Sequence, residues 1–436
     1  VKAVGVTLPE EVSFGGQRAL HGRLRVPGDK SISHRALLFA ALAHGRSTIT
    51  NLATGDDVHA TAAALRHLGV GVRTRGGAVT VDGSGADGWR EPDAVVDCGN
   101  SGTTMRVLSG ALAGRPFLSV LTGDASLRAR PMRRVGNPLR AMGASFDGRD
   151  GGEHAPIVIR GGALRGMVHE LPVASAQVKS ALILAGLQAS GTTEVVSPAP
   201  TRDHTERMLG ALGAPVEAKG LCVHVSAGEP SPLELYVPGD PSSAAFFVVA
   251  ALITPGSDVV LEHVSLNPTR LGFVEVLRRM GADIVTTEQG VECGEPVGEL
   301  RVQASELTGT SIAGDEIPNV QDEVPALAVA AAFADGVTEI RDAAELTVKE
   351  SNRIGTVHQE LTQLGVGVET SSDGLVIRGG RPRAATLKSH GDHRIAMAAA
   401  IAANALDAES TVRGWRAVAS SYPEFADDLA RLTGSE

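Results

Sequence analysis

Along the chain, apolar residues at helical spacing repeatedly end on a glycine, and a Val- and Thr-rich run follows. Five copies are visible: LRHLGVGVRTR, LRAMGASF, LGALGAPVEA, LRRMGADIVTT and LTQLGVGVETS, with their glycines at Gly69, Gly143, Gly213, Gly281 and Gly365. A glycine directly after an apolar-periodic stretch is a helix stop, and the run behind it reads as a strand. Upstream of each lies a second element, an Ala-rich run, then a turn, then a short β-like stretch. Its copies are ALAHGRSTITN, ALAGRPFLSV, GLQASGTTEVV, ALITPGSDVVLEHV, AFADGVTEIRDA and ALDAESTVRGW. The pattern predicts six copies of one unit of about 70 residues, helices alternating with strands. That is too long for a common solenoid repeat and too irregular for a propeller blade. The sixth copy runs through YPEFADDLARLTG without a final strand, which the N-terminal VKAVGVTL is expected to supply. Three units per domain then give two similar domains, a continuous one over 20–240 and a discontinuous one over 1–19 and 241–436. Their boundaries fall after the turn-prone Gly15-Gly16 and within VPGDPSS.

Ala-rich helices such as ALAVAAAFA and IAMAAAIAA have almost no polar face, so burial is expected for them. Composition says how that core must be built. With 52 glycines against 9 Phe, 2 Trp and 2 Tyr, it must be filled by Ala, Val, Leu and Ile, with close backbone contacts at Gly and Ala. A length of 436 residues is ample for it. A net charge of −10 argues against a general nucleic-acid binder, and a 43% apolar fraction against disorder. Three scattered cysteines, Cys98, Cys222 and Cys293, leave no disulfide framework and no Cys-x-x-Cys metal knuckle. Apolar runs such as Ala244 to Ile253 are too short to span a bilayer, and Val1 to Gly16 lack a signal-peptide core. A cytoplasmic protein without membrane or nucleic-acid partners is expected.

The polar residues that interrupt the pattern gather just before apolar helices. In VPGDKSISHRALL, the helix is expected from about Ser31 or Ile32, which sets Lys30, Ser31 and Arg35 near free N–H groups that favour an anion. DCGNSGTTMR places Asn100, Ser101, Gly102 and Thr103 before the next helix, with Arg106 in its first turns. LTGDASLRARPMRRV carries Arg128, Arg130, Arg133 and Arg134, forks suited to carboxylate or phosphate. ASAQVKS offers Ser175, Gln177 and Lys179, and SPAPTRDHTE offers Ser197, Thr201 and Arg202. Asp203 and His204 read as a cap as readily as a dyad. Carboxylates come later: Asp322 and Glu323 in NVQDEV, and Lys349, Glu350 and Arg353 in VKESNRI, where an exposed Glu350–Arg353 pair is the plainer reading. Asp392, His393 and Arg394 follow in GDHRIAM. His390 and His393 lack further ligands at metal-site spacing. Charge clamps on one side, with an acid and a base on the other, suit a transferase acting on two small anions.

The motifs GDKSISHR, GNSGTTMR, LTGDASLRARPM, ASAQVKSALILAGL, TRDHTERM, VKESNRI and GDHRIAM, in this order over nearly the full length, resemble the EPSP synthase family of enolpyruvyl transferases. The resemblance implies a two-domain inside-out α/β barrel of six βαβαββ units, three per domain, with the site in the interdomain cleft. It implies transfer of the enolpyruvyl group of phosphoenolpyruvate to the 5-hydroxyl of shikimate 3-phosphate, by a monomer without metal or organic cofactor. By motif, Ser31, Arg35, Ser175, Gln177, Ser197, Arg202, Asp322 and Lys349 would bind shikimate 3-phosphate. Lys30, Asn100, Gly102, Arg130, Gln177, Arg353 and Arg394 would bind phosphoenolpyruvate. Asp322, Glu350 and Lys30 would be catalytic. The chain departs from the pattern at Ala176, at Asn352 and at Ser420, where many members carry a lysine before the aromatic-Pro pair. Gly102 is the residue of glyphosate-sensitive members, so inhibition by glyphosate is expected. A related fold transfers the same group to UDP-N-acetylglucosamine, but its members open with Lys-Asn and use a loop cysteine, where this chain has Lys30-Ser31 and no cysteine between Cys98 and Cys222. A non-catalytic anion-binding protein of the same fold is the reading from another class.

Overall fold

A computed structural model of the chain describes residues 8–434. It divides into two compact units. The first comprises Gly28–Val237 with Val291–Glu295, and the second the residues up to Pro27, Pro238–Gly290 and those from Pro296 onward. The division at Pro27 differs from the expected Leu20. His21–Leu24 pairs in parallel with Asp258–Leu261, which draws this stretch into the second unit.

Each unit repeats one topology three times. In the second repeat of the first unit, Val96–Asp97 leads to the helix Gly102–Leu112 and the strand Leu118–Thr122. The helix Arg133–Met142 and the strands Ser145–Gly148 and His154–Arg160 follow. The sheet begins with a parallel pair and continues antiparallel, with the last two strands exchanging order. Five sheets have four strands in this arrangement. The sixth has three among the described residues: Thr386–Lys388, Ser410–Arg413 and Glu11–Phe14. The N-terminal stretch thus does pair with the last repeat, through Glu11–Phe14. Of the expected VKAVGVTL strand, residues 1–7 lie outside the described residues. The sheet of the first repeat is completed by Glu234–Tyr236, from the far end of its unit.

The helices lie inside and the sheets outside. In the first unit, Lys30–Leu42, Gly102–Leu112 and Ala176–Gly186 pack on one another and are nearly wholly buried. In the second, Pro241–Ile253, Val324–Phe333 and His393–Asn404 do the same. Burial on every side explains why these six sequences carry no polar stripe. The second helix of each repeat is amphipathic instead, and five of them stop at the expected glycines. Gly69, Gly143, Gly213, Gly281 and Gly365 all take positive φ, the left-handed cap that a side chain would strain. Small residues let the inner helices touch backbone to backbone: a Cβ on Gly110 would stand 2.0 Å from the Ala181 carbonyl oxygen.

Candidate active site

Five of the six inner helices begin with a side-chain cap: Asp29 accepts from Ile32 N–H, Ser101 from Thr104, Ser175 from Val178, Asp240 from Ser242 and Asp392 from Arg394. The first of them starts at Lys30, a residue earlier than expected. The caps fix where the polar motifs sit, at the ends of buried helices whose remaining N–H groups favour anions.

In the first unit these ends form one polar cluster. Lys30 Nζ lies 2.5 Å from the Asp57 carboxylate. Arg35 is buried and donates from Nε to Thr205 Oγ1 and from Nη2 to Ser180 Oγ, both at 2.7 Å, and from Nη1 to the Ser31 carbonyl at 2.9 Å. Burial lowers its pKa to about 10, against the pull of Glu206, Asp29 and Glu295, so it stays charged at neutral pH. Arg130 donates to Asn100 Oδ1 at 2.7 Å, and the Asn100 amide donates to Asp124 at 2.6 Å. Gln177 joins two inner helices, accepting from Arg106 at 2.7 Å and donating to Thr103 at 3.0 Å. A Cβ on Gly102 would come 2.9 Å from Arg106 Nη1 and 3.4 Å from Arg130 Nη1, so the missing side chain leaves room beside two guanidinium groups. The Ser197 and Thr201 hydroxyls are buried and have no hydrogen-bond partner. Unpaired buried hydroxyls are costly to leave so, and a ligand oxygen would satisfy them.

The second unit holds a network of charges built around Arg353, whose side chain is 1% exposed. Its Nη1 reaches Asp322 at 3.2 Å, its Nη2 reaches Glu350 at 2.7 Å, and its Nε reaches Asp392 at 2.9 Å. Burial works against the charge of this guanidinium, but Asp392, Glu350 and Asp322 outweigh it and hold the pKa above the ordinary value. Burial likewise opposes ionisation of Asp392, yet Arg353 and His393 keep its carboxyl below the usual range. Asp322 also meets Lys349 Nζ at 3.5 Å, and its backbone carbonyl accepts from Arg394 at 2.9 Å. Beyond Arg394, Glu323 bonds to the Ser242 hydroxyl, and Arg270 donates to Ser242 and Asp240.

A family model for EPSP synthase (3-phosphoshikimate 1-carboxyvinyltransferase) matches residues 15–429. The 3-phosphoshikimate 1-carboxyvinyltransferase of Geobacillus kaustophilus is 51% identical over 433 residues, covering 98% of this chain and 99% of that protein. That of Shouchella clausii is 50% identical over 418 residues, covering 95% and 97%. The chain belongs to the EPSP synthase family. The solved EPSP synthase of Acinetobacter baumannii superposes with a TM-score of 0.87 at 42% identity, covering 97% of this chain and 98% of that one. The enolpyruvyl transferase NikO of Streptomyces tendae, at 19% identity and a TM-score of 0.78, shares the fold. The expected inside-out α/β architecture with its six repeats is that of this family. Among the described residues, no helix is long and apolar enough to cross a membrane.

The motif residues of this EPSP synthase family member fall into the two clusters: Lys30, Ser31, Arg35, Asn100, Gly102, Arg130, Ser175, Gln177, Ser197 and Arg202 in the first unit, and Asp322, Lys349, Glu350, Arg353 and Arg394 in the second. The plainer reading of Glu350 and Arg353 as an exposed ion pair fails, because Arg353 is interior. The Asp203–His204 dyad also dissolves: Asp203 accepts from Arg207, while His204 bonds to the buried Glu295 at 2.8 Å. Within the arginine-rich loop, Arg133 turns to Glu153 rather than to Asn100. Asp57, Thr205, Ser242 and Arg270 bond to side chains of these clusters without having been singled out. Their partners lie 27 to 170 residues away, so no local pattern announces them. At Ser420, the hydroxyl donates to the Ala417 carbonyl at 2.9 Å and offers no positive charge.

Proposed function

We infer that this chain transfers the enolpyruvyl group of phosphoenolpyruvate to the 5-hydroxyl of shikimate 3-phosphate, giving 5-enolpyruvylshikimate 3-phosphate and phosphate, a step of the shikimate pathway. The observation that carries the assignment of roles is the buried Arg353 guanidinium holding two partly exposed carboxylates at once, Asp322 and Glu350. The reaction needs two such groups. The substrate hydroxyl must lose a proton as its oxygen attacks C2 of phosphoenolpyruvate, and C3 must gain one. In the tetrahedral adduct that results, the C2–O bond to phosphate then breaks and the methyl group gives back a proton. We assign the hydroxyl proton to Asp322 and both transfers at C3 to Glu350. Lys30, held by Asp57, neutralises the departing phosphate.

Binding roles follow the chemistry of the first cluster. Ser175, Ser197 and Arg202 hold the 3-phosphate, and the unpaired Ser197 hydroxyl supports this reading. Arg35 keeps one N–H on each terminal nitrogen beyond its bonds to Ser31 and Ser180, and with Ser31 takes the shikimate carboxylate. Arg130, beside Gly102, and Arg394 and Arg353 clamp phosphoenolpyruvate, with Asn100 and Gln177 fixing Arg130 and Arg106 by hydrogen bonds. Lys349 lies next to Asp322 and adds positive charge for the same pair of anions. The protein acts as a monomer located in the cytoplasm, with no metal or organic cofactor in the chemistry. Phosphate release from phosphoenolpyruvate, run in parallel with shikimate 3-phosphate and with UDP-N-acetylglucosamine, tests the acceptor. Release with the sugar nucleotide alone would overturn it, and binding of both anions without release would make this a non-catalytic relative.

A further inference from the structure

The sheet formed by Val168–Glu170, Thr193–Val196, Cys222–Val225 and Val216–Lys219 turns Thr193, Val195, Val223 and Val225 inward. Strand alternation therefore sends Glu194, Cys222 and His224 to the opposite face. The register pairs Glu194 with His224 across two adjacent strands, and Cys222 stands two residues from His224 on the same strand. Cys222 Sγ is 3.6 Å from His224 Nε2, and His224 Nδ1 is 3.6 Å from Glu194 Oε1. One ligand atom from each of the three lies within 4.8 Å of the others, the single such group among the described residues.

These are three different ligand types at metal-site spacing. A tetrahedral zinc ion, with Zn–S of ~2.3 Å and Zn–N of ~2.0–2.1 Å, holds its sulfur and nitrogen ligands roughly 3.6 Å apart. The Cys222–His224 separation needs no change to meet that; Glu194 now faces the other ring nitrogen, which the same ion cannot use, so its carboxylate turns toward the Cys222 side on binding. We propose that Glu194, Cys222 and His224 bind a zinc ion or a similar divalent transition metal on the outer face of this sheet. A water molecule completes the coordination, or the Glu217 carboxylate does. Glu217 stands directly across from His224 on the edge strand and is now paired with Lys219 at 3.0 Å. A thiolate beside an imidazole favours zinc, cobalt or copper over magnesium and calcium. Binding displaces the thiol proton to solvent, leaves the oxidation state of the metal unchanged and joins strands 193–196 and 222–225 through the ion. The ligands come from two strands in cross-strand register, so the site has no linear signature, and the sequence pattern accordingly led to no expectation of a metal.

Cobalt(II) titration of the full, metal-free, reduced chain tests this, because cobalt bound to thiolate shows a charge-transfer band in the near ultraviolet. The band reports Cys222: Cys98 is fully buried, and the Cys293 thiol is turned to the Met208 carbonyl. One equivalent of cobalt should produce the band and zinc should erase it. C222S should abolish it, and H224A and E194Q should each weaken cobalt binding at least about tenfold. Zinc should raise the Tm of the unsubstituted chain by a few degrees and leave that of C222S unmoved, with turnover equal in both. No band up to millimolar cobalt, a band that survives in C222S, or an unchanged cobalt affinity in H224A, overturns the proposal.

Discussion

The roles of single residues rest on how few alternatives their surroundings leave. Glu350 accepts from a buried guanidinium that keeps two other carboxylate partners when Glu350 is changed. E350Q is therefore expected to fold and to bind shikimate 3-phosphate normally while kcat falls by about 10²–10⁴-fold, the usual effect of losing a placed acid or base. Calorimetry and steady-state rates check it, and near-normal turnover would remove Glu350 from the mechanism. At Gly102 the constraint is steric. A methyl group 2.9 Å from Arg106 Nη1 must push that guanidinium or narrow the space it borders. G102A should raise the KM for phosphoenolpyruvate about tenfold, or ~1.4 kcal/mol of binding, and should weaken inhibition by glyphosate by more. Ser420 carries no charge where many relatives have a lysine, and its hydroxyl is already bonded to Ala417. S420K should lower the KM for phosphoenolpyruvate several-fold with kcat little changed, and an unaltered KM would show that another cation already serves.

Elements explain why those residues meet. The inner helices Gly102–Leu112 and Ala176–Gly186 approach so closely that Gly110 faces the Ala181 carbonyl with no room for a side chain. Their closeness is what lets Arg106 reach Gln177. G110A forces these backbones apart and should cost about 1–3 kcal/mol, as overpacking of a filled core does. Chemical denaturation measures it, with a rise in the KM for phosphoenolpyruvate as the second sign. Much of this level could be read in the sequence. The Ala-rich helices, the five glycine stops and the close Gly–Ala contacts each follow from local composition or period. Cross-connections could not be read. The bonds from Arg35 to Ser180 and Thr205, and the buried chain from Arg270 through Ser242 to Glu323, join segments whose proximity is a property of the sheets and not of any window of residues.

At the scale of the whole molecule, stability should depend on pH through groups that no substrate touches. His34 is fully buried; its Nδ1 faces Thr61 Oγ1 at 2.7 Å and its Nε2 has no partner. Burial first, then the charges of Lys30 and Arg35, hold its pKa well below 6.5. The unfolded chain thus takes up a proton below pH 6.5 that the folded chain refuses, so stability falls as pH drops through that value. The slope is at most about 1.4 kcal/mol per pH unit. H34N keeps a group able to bond Thr61 and should flatten the loss between pH 6.5 and 5. Equal slopes in both proteins would show that His34 is not its source. Asp392 works at lower pH: its folded pKa is depressed, so its contribution is present above the ordinary carboxylate range and is lost as pH falls through the folded value.

The order of strands also sets a schedule for a chain leaving the ribosome. Glu234–Tyr236 closes the first unit's opening sheet, so all three of its sheets have their strands once Tyr236 is made. Glu11–Phe14 and His21–Leu24 emerge before any of these, yet their partners Ser410–Arg413 and Asp258–Leu261 come far later. At about 5–20 residues per second, the earliest strands wait through most of translation, and the unit that begins first is the last to be finished.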